Sequence, residues 1–376
     1  MIHFATIPGH DTLKKHLIDI VQRRHVPHAQ LFWGGEGNAG LALALAFITY
    51  LNCYHQGQED ACGRCSSCNK MKQGVHPDVK FIFPTSATQQ STRENVVSAS
   101  FMKAWRVFLS QHPYGNAQDW HHHLGNPQKM LSIPREEARE ILQTVHLKAF
   151  EGAYKVILLW LPEYLHATAA NALLKVMEAP PPHTLFVLVS TQHEKVLDTI
   201  RSRTQQIYVP PFTDQVLNRV LEEKCQLTST ERAQIVLLAE GNLNRALKLA
   251  ARDTEIYLDH FKHWMRWCYT HNFTQLVAQA EVFHKMSRTS QRDFLTYAMH
   301  MLREALLIRY AVQTGLRNVT LGGGTFIKRW SSTLTHQQIS TWIHWLDKAH
   351  NFVARNAHAK MLYLNLSLDI ARSFRS

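Results

Sequence analysis

Lys155-Val-Ile-Leu-Leu-Trp160, Ala169-Ala-Asn-Ala-Leu-Leu-Lys-Val-Met-Glu178, Pro180-Pro-Pro182 and Thr184-Leu-Phe-Val-Leu-Val-Ser190 follow one another in the sequence. Two apolar runs flank a segment of helical spacing, and the prolines stop that segment. Neither run alternates with polar residues. That is the pattern of strands buried on both faces, as in a parallel sheet with crossover helices. Thr199-Ile-Arg-Ser-Arg-Thr204 and the strand-like Gln206-Ile-Tyr-Val209 close the stretch. An α/β domain is the expected result.

Composition sets the bounds. With 376 residues, 45% of them hydrophobic, the chain has room for two or three domains with ordinary cores. No apolar run is long enough to cross a bilayer. The segment Met1-Ile-His-Phe-Ala-Thr6 lacks a basic stretch before an apolar core, so a cytoplasmic protein with reduced thiols is expected. The formal charge of +12 suits nucleic acid or an acidic partner, but it is spread along the chain. The 24 histidines suggest no common role, and His121-His-His123 reads as a solvated loop.

Upstream, His28-Ala-Gln-Leu-Phe-Trp-Gly34 reads as a strand entering a glycine-rich turn, Gly34-Gly-Glu-Gly-Asn-Ala-Gly-Leu41. A working phosphate loop is G-x-x-x-x-G-K-[ST]: backbone N–H groups surround the phosphates, Lys neutralises charge and Ser/Thr binds Mg²⁺. Gly34 and Gly37 are present here. Ala39 replaces the second required glycine, Gly40 the lysine and Leu41 the hydroxyl residue. The expectation is a retained turn that leads into a packed helix and binds no nucleotide.

Cys53, Cys62, Cys65 and Cys68 come next. Two C-x-x-C steps with a more distant fourth thiol can close a tetrahedral zinc shell. His55 and His76 are spare ligands. A structural zinc module over residues 53–68 is expected, with Gly63 allowing its tight turn. Cys225 and Cys268 stand alone. Residues 85–130 are polar apart from Phe101, Trp105 and Phe108, which fit a helix from Val97 to Ser110; the segment reads as a surface insertion. A further helix is expected at Ile133 to Val145, with Ser132 as N-cap and Pro134 in its first turn.

Asn171-Ala-Leu-Leu-Lys175, Glu178-Ala-Pro-Pro181, Thr184 to Ser190 and Thr199-Ile-Arg-Ser-Arg-Thr204 together closely resemble the clamp-loader branch of the AAA+ ATPases. The zinc insertion after the first core helix is similar to that family's as well, as are His76-Pro-Asp78 and Phe150-Glu-Gly-Ala-Tyr-Lys155. The resemblance implies an AAA+ P-loop-type α/β domain over 1–210, a three-helix lid over 211–252 and an all-α collar domain for oligomerisation over 253–376.

In an active member the strand ending at Trp160 would carry an acidic pair, Asp for Mg²⁺ and Glu for the attacking water. Trp160 and Leu161 stand there, with Glu163 two residues on. The lid arginine that senses nucleotide falls at Asn244, beside Arg245. Asp78 is expected to be structural. Ser202-Arg203-Thr204 keeps the family's Ser-Arg-Cys pattern, so the resemblance assigns Arg203 to a neighbour's ATP as an arginine finger in trans, with Ser202 beside it. Arg201 is the alternative.

These implications describe a non-hydrolysing clamp-loader subunit in a holoenzyme with DNA-directed DNA polymerase activity. Its partners would be gamma/tau-like motor subunits, a delta-like subunit, the sliding clamp and, through the assembly, primed DNA. Zinc would be structural, and this chain would hold no ATP. The alternatives are an active gamma/tau-like ATPase, which would bind ATP alone, and a stand-alone zinc-containing DNA-binding protein, which would bind DNA tightly without partners. Only Arg64, Lys70 and Lys72 lie near the cysteines, which weakens the second alternative.

Overall fold

Short runs of β-branched, leucine and phenylalanine residues form a five-stranded sheet in the computed structural model, which describes residues 3–86, 96–125, 130–251, 255–286, 288–314, 324–355 and 357–374. In chain order the strands are β1 (Ala29–Trp33), β2 (Val79–Ile82), β3 (Lys155–Trp160), β4 (Thr184–Ser190) and β5 (Gln205–Tyr208). They lie in the order β2-β3-β4-β1-β5, and every pairing is parallel. Leu31 sits opposite Leu188 and Gln206, while Leu158 sits opposite Val187 and Phe81. The apolar runs quoted above are therefore the middle of the sheet, and all of β3 and β4 is buried.

Parallel strands need crossover connections, and helices supply them. In this first unit they are α1 (Asp11–Gln22), α2 (Gly40–Leu51), α3 (Ser66–Gln73), α4 (Met102–Gln111), α5 (Ala117–His123), α6 (Arg135–Val145), α7 (Ala167–Glu178) and α8 (Asp198–Arg201). Leu31, Ile157, Leu159, Phe186 and Leu188 pack one face of the sheet against Ile141 and Val145 of α6 and Leu173 and Val176 of α7. Phe32, the next residue along β1, meets Phe47 of α2 at 6.3 Å between ring centroids. Helix α2 is apolar all round, and each of its twelve residues is buried.

Three local readings change. Helix α6 begins at Arg135 with Pro134 as N-cap, so Ser132 caps nothing. Ser132 instead exchanges backbone hydrogen bonds with Thr85, both 2.9 Å. The segment 96–125 is also no surface appendage. Trp105, Phe108 and Trp120 are fully buried, and the indole N–H of Trp120 donates to the Pro84 carbonyl at 2.6 Å. His121, His122 and His123 form the last turn of α5 and not a loop. The remainder of the 85–130 segment, 87–95 and 126–129, lies outside the described residues.

Contacts divide the chain into two compact units, Met1–Val220 with Glu240–Arg245, and Leu221–Ala239 with Ala246–Ser376. Beyond the sheet come α9 (Asp214–Lys224), α10 (Ser229–Ala239) and α11 (Leu243–Ala250). The second unit continues with α12 (Glu255–Tyr269), α13 (Phe273–Lys285), α14 (Arg288–Thr314), α15 (Gly324–Thr333), α16 (His336–Ala354) and α17 (Ala359–Ser373). Phe294, Tyr297, Met301 and Ala305 face its core from α14, as Trp342, Leu346, Ala349 and Val353 do from α16. Trp264 and Trp342 are core residues whose indole N–H groups donate to Ser367 Oγ (2.8 Å) and Ser373 Oγ (2.7 Å). Of the glycine run Gly322-Gly-Gly324, the first two residues lie outside the described residues and Gly324 opens α15. No helix among the described residues is long and apolar enough to cross a membrane.

Candidate functional site

The turn after β1 takes the place that a phosphate loop would occupy, between a strand and the N-terminus of α2. That N-terminus would favour an anion if its N–H groups were open. Here the first helical N–H, that of Gly40, donates to Asn38 Oδ1 at 2.7 Å. Gly37 has φ +69°, and a Cβ there would overlap Asn242 Oδ1. The left-handed conformation and the close approach both demand glycine. Leu243 N–H donates to the Gly37 carbonyl at 3.2 Å, so the turn 241–243 lies directly on the loop. Leu41 is buried within α2. Asn38 and Asn242 thus occupy the loop with the chain's own carboxamides.

At the end of β3, Trp160 is 1% exposed and packs among Trp105 and Phe108, with centroids 5.0 and 5.7 Å away. Leu161 is fully buried in the left-handed region, φ +59°, and its N–H donates to the Val189 carbonyl at 2.7 Å. Neither offers a ligand for a hard cation. Glu163, two residues on, is the nearest carboxylate in the sequence. Its Oε1 accepts from Thr191 N (3.1 Å), Thr191 Oγ1 (3.2 Å) and Gln192 N (3.2 Å). Burial outweighs those hydrogen bonds and pushes its carboxyl above the usual range.

Asn244, where the resemblance expects a nucleotide-sensing arginine, donates from Nδ2 to Asp119 Oδ2 at 2.6 Å. Asn116 caps α5 and donates to Glu36 Oε2 of the loop at 2.9 Å. The inserted helix α5 therefore reaches both the loop and the turn 241–245. Sequence reading missed it. Asn116 followed three residues later by Asp119 is a capping-box signal that marks its start.

Cys53, Cys62, Cys65 and Cys68 come together, with their sulfurs all within 4.8 Å of one another, and none is in a disulfide. A tetrahedral ion with Zn–S near 2.3 Å separates its sulfurs by roughly 3.8 Å, so the cluster fits a metal ion such as zinc. Backbone N–H groups of Cys62, Cys65 and Cys68 point at the sulfurs of Cys53, Cys62 and Cys65, at 3.3 to 3.4 Å. Gly63, at φ +71°, makes that turn. The Arg64 N–H helps bring the Cys62 thiol down to about 6. Burial pushes Cys53 and Cys68 up, and an ion would be needed to hold these as thiolates. His76 is engaged elsewhere: Nε2 meets Ser67 Oγ at 3.0 Å and Nδ1 accepts from Asp78 N at 3.2 Å.

Asp78 is structural, as its setting shows. It accepts the backbone N–H groups of Phe150 (2.6 Å), Glu151 (2.8 Å) and Gly152 (2.7 Å). Burial alone would raise its pKa, but these donors hold it below the usual range. The segment entering β3 is fixed in this way.

Arg203 follows the short helix α8. Its Nε donates to Glu178 Oε2 at 3.2 Å and Nη1 to the Thr199 carbonyl at 3.2 Å, and about a third of the side chain is exposed. Ser202 Oγ turns back to the same carbonyl at 3.3 Å. Arg201 is the more committed of the pair, with Asp198, Glu194 and His193 around its guanidinium.

Residues 9–213, more than half of the chain, match the protein family described as DNA polymerase III, delta subunit. The DNA polymerase III subunit delta′ of Yersinia pestis is 32% identical over 227 residues, 60% of this chain and 54% of that protein. For the delta′ subunit of Escherichia coli strain K12 the identity is 25% over 226 residues, 60% of this chain and 55% of that protein. The DNA polymerase III subunit tau/gamma of Haemophilus influenzae is 24% identical over 251 residues, 65% of this chain and 30% of that protein. The chain therefore spans about half the length of the delta′ relatives and under a third of the tau/gamma relative. The family match takes in the sheet, the loop at Gly34 to Leu41, the four cysteines and Arg203, and on that match the chain belongs to the DNA polymerase III delta subunit family of clamp-loader proteins.

Proposed function

We propose that the chain is a non-hydrolysing, delta-prime-like clamp-loader subunit that supplies Arg203 to ATP held by a neighbouring gamma/tau-like motor. The observation that carries this reading is the loop after β1. It has no lysine or hydroxyl residue, Asn38 caps its first helical N–H, and Asn242 lies against Gly37. Phosphoryl transfer needs a cation clamp on the phosphates and an acidic ligand for Mg²⁺. Gly40, Leu41, Trp160 and Leu161 provide neither.

Arg203 supports the positive half of the proposal. It lies two residues past a short helix, about a third exposed, and Nη2 has no partner among the described residues. A guanidinium so placed can stabilise charge developing on a phosphate across an interface. Zinc at the four cysteines would be structural, holding the segment between α2 and α3. Within the proposed assembly, residues 211–252 act as lid and 253–376 as collar. The assembly works in the cytoplasm, with a delta-like subunit and the sliding clamp, on primed DNA.

Similarity to tau/gamma relatives supports a second reading, an ATP-hydrolysing motor. The two part company at ATP binding by the chain alone, which only the motor reading expects; the trans role of Arg203 has its own test. In a reconstituted loader with this chain beside a competent motor, Arg203→Ala lowers clamp- and DNA-stimulated ATPase by up to ~10³-fold while this chain stays folded. Unchanged ATPase overturns the trans role.

A further inference from the structure

Glu178 is the last residue of α7, followed by Ala179 and three prolines. A carboxylate there opposes the helix dipole, which favours cations at a C-terminus. Local rules tend to be broken where another demand is being met. The demand here is Arg203, whose Nε–H donates to Glu178 Oε2 at 3.2 Å. The backbone beneath Arg203 is already fixed. Ile200 is buried, Arg203 N–H donates to the Ile200 carbonyl at 3.1 Å, and Thr204 Oγ1 donates to the same carbonyl at 3.1 Å. Only the long side chain is left to be placed.

We infer that Glu178 is a positioning residue for Arg203: it anchors the guanidinium through Nε, with the Thr199 carbonyl holding Nη1, so that Nη2 is left for a phosphate oxygen. This inference rests on the trans role proposed above. A free arginine side chain samples many rotamers, and a misplacement of about 1 Å at a reacting centre can cost on the order of 10²-fold in rate. Two fixed acceptors remove most of that freedom. Glu178 remains largely exposed, so its attraction is screened and does not prevent the outer donors from engaging a polyphosphate.

The test is steady-state ATP hydrolysis by the reconstituted loader with sliding clamp and primed DNA, comparing Glu178→Ala, Glu178→Gln, Arg203→Ala and the double variant Glu178→Ala/Arg203→Ala. Glu178→Ala is expected to lower kcat about tenfold with KM for ATP unchanged, because the motor's own nucleotide contacts are untouched. Glu178→Gln keeps an oxygen acceptor for Nε and restores most of the rate. In the Arg203→Ala background, Glu178→Ala has no further effect. Wild-type turnover for Glu178→Ala, alongside a loss for Arg203→Ala, overturns the positioning role and leaves the trans role standing. A faster Glu178→Ala complex also overturns it, since Glu178 would then compete with phosphate for Arg203. Full activity of Arg203→Ala removes the trans role and this inference with it.

Discussion

The ring of Trp160 lies 5.0 Å from that of Trp105, at 46°, in a buried group that also includes Phe83, Phe108 and Trp120. The strand end that would present a Mg²⁺-binding carboxylate in an active ATPase is therefore part of a hydrophobic core. That core is completed by α4 and α5, which the sequence presents as a polar insertion.

The packing predicts that acidic chemistry cannot be restored here by one substitution. Trp160→Asp removes a large buried ring and leaves a carboxylate among aromatics. The expected loss is on the order of 3–5 kcal/mol, read as a lower urea midpoint. Trp160→Phe should cost far less. An Asp variant as stable as the parent contradicts the aromatic-core assignment.

The four-cysteine cluster predicts one tightly held metal ion per chain. Cys62→Ser should abolish it, and Co²⁺ in the parent protein should give the absorption of a tetrahedral thiolate site. Removing the ion should lower thermal stability, because metal binding energy is folding energy in such modules. Protein purified without metal that gives no Co²⁺ spectrum rules the site out.

Glu304 in α14 is buried, and its Oε2 has no hydrogen-bond partner among the described residues. Burial pushes its carboxyl up to about 7. The folded chain then holds a proton that the unfolded chain, with an ordinary carboxyl near 4.3, gives up. Stability from this group is therefore full below about pH 4 and falls as pH rises towards 7. Glu304→Gln should flatten that fall and stabilise the chain at pH 8, by about 1–2 kcal/mol after discounting for solvent screening. Denaturant midpoints at pH 5 and pH 8 measure it, and equal pH dependence in both proteins contradicts the assignment.

Much of this architecture was readable before the structure. Strands β3 and β4 announce themselves because both faces are covered and their residues carry no polar alternation. The cysteines are legible because metal geometry constrains spacing. The role proposed for Arg203 comes only from the motif around it, since a single arginine carries no periodic signal. The role of 96–125 was hidden for a physical reason. Trp105, Phe108 and Trp120 are few, widely spaced and surrounded by polar residues, and their burial depends on Phe83 and Trp160, far away in sequence. The same holds for Asn242 against Gly37, a contact between residues two hundred positions apart that no local pattern encodes.

Equilibrium binding of ATP to the purified chain, followed with a fluorescent ATP analogue in the presence of Mg²⁺, tests the central claim most directly. The loop filled by Asn38 and Asn242 predicts no saturable binding and no hydrolysis by the chain alone, with turnover appearing only when a competent motor subunit is added. Stoichiometric, Mg²⁺-dependent binding with turnover by the isolated chain would contradict the account and identify it as a motor.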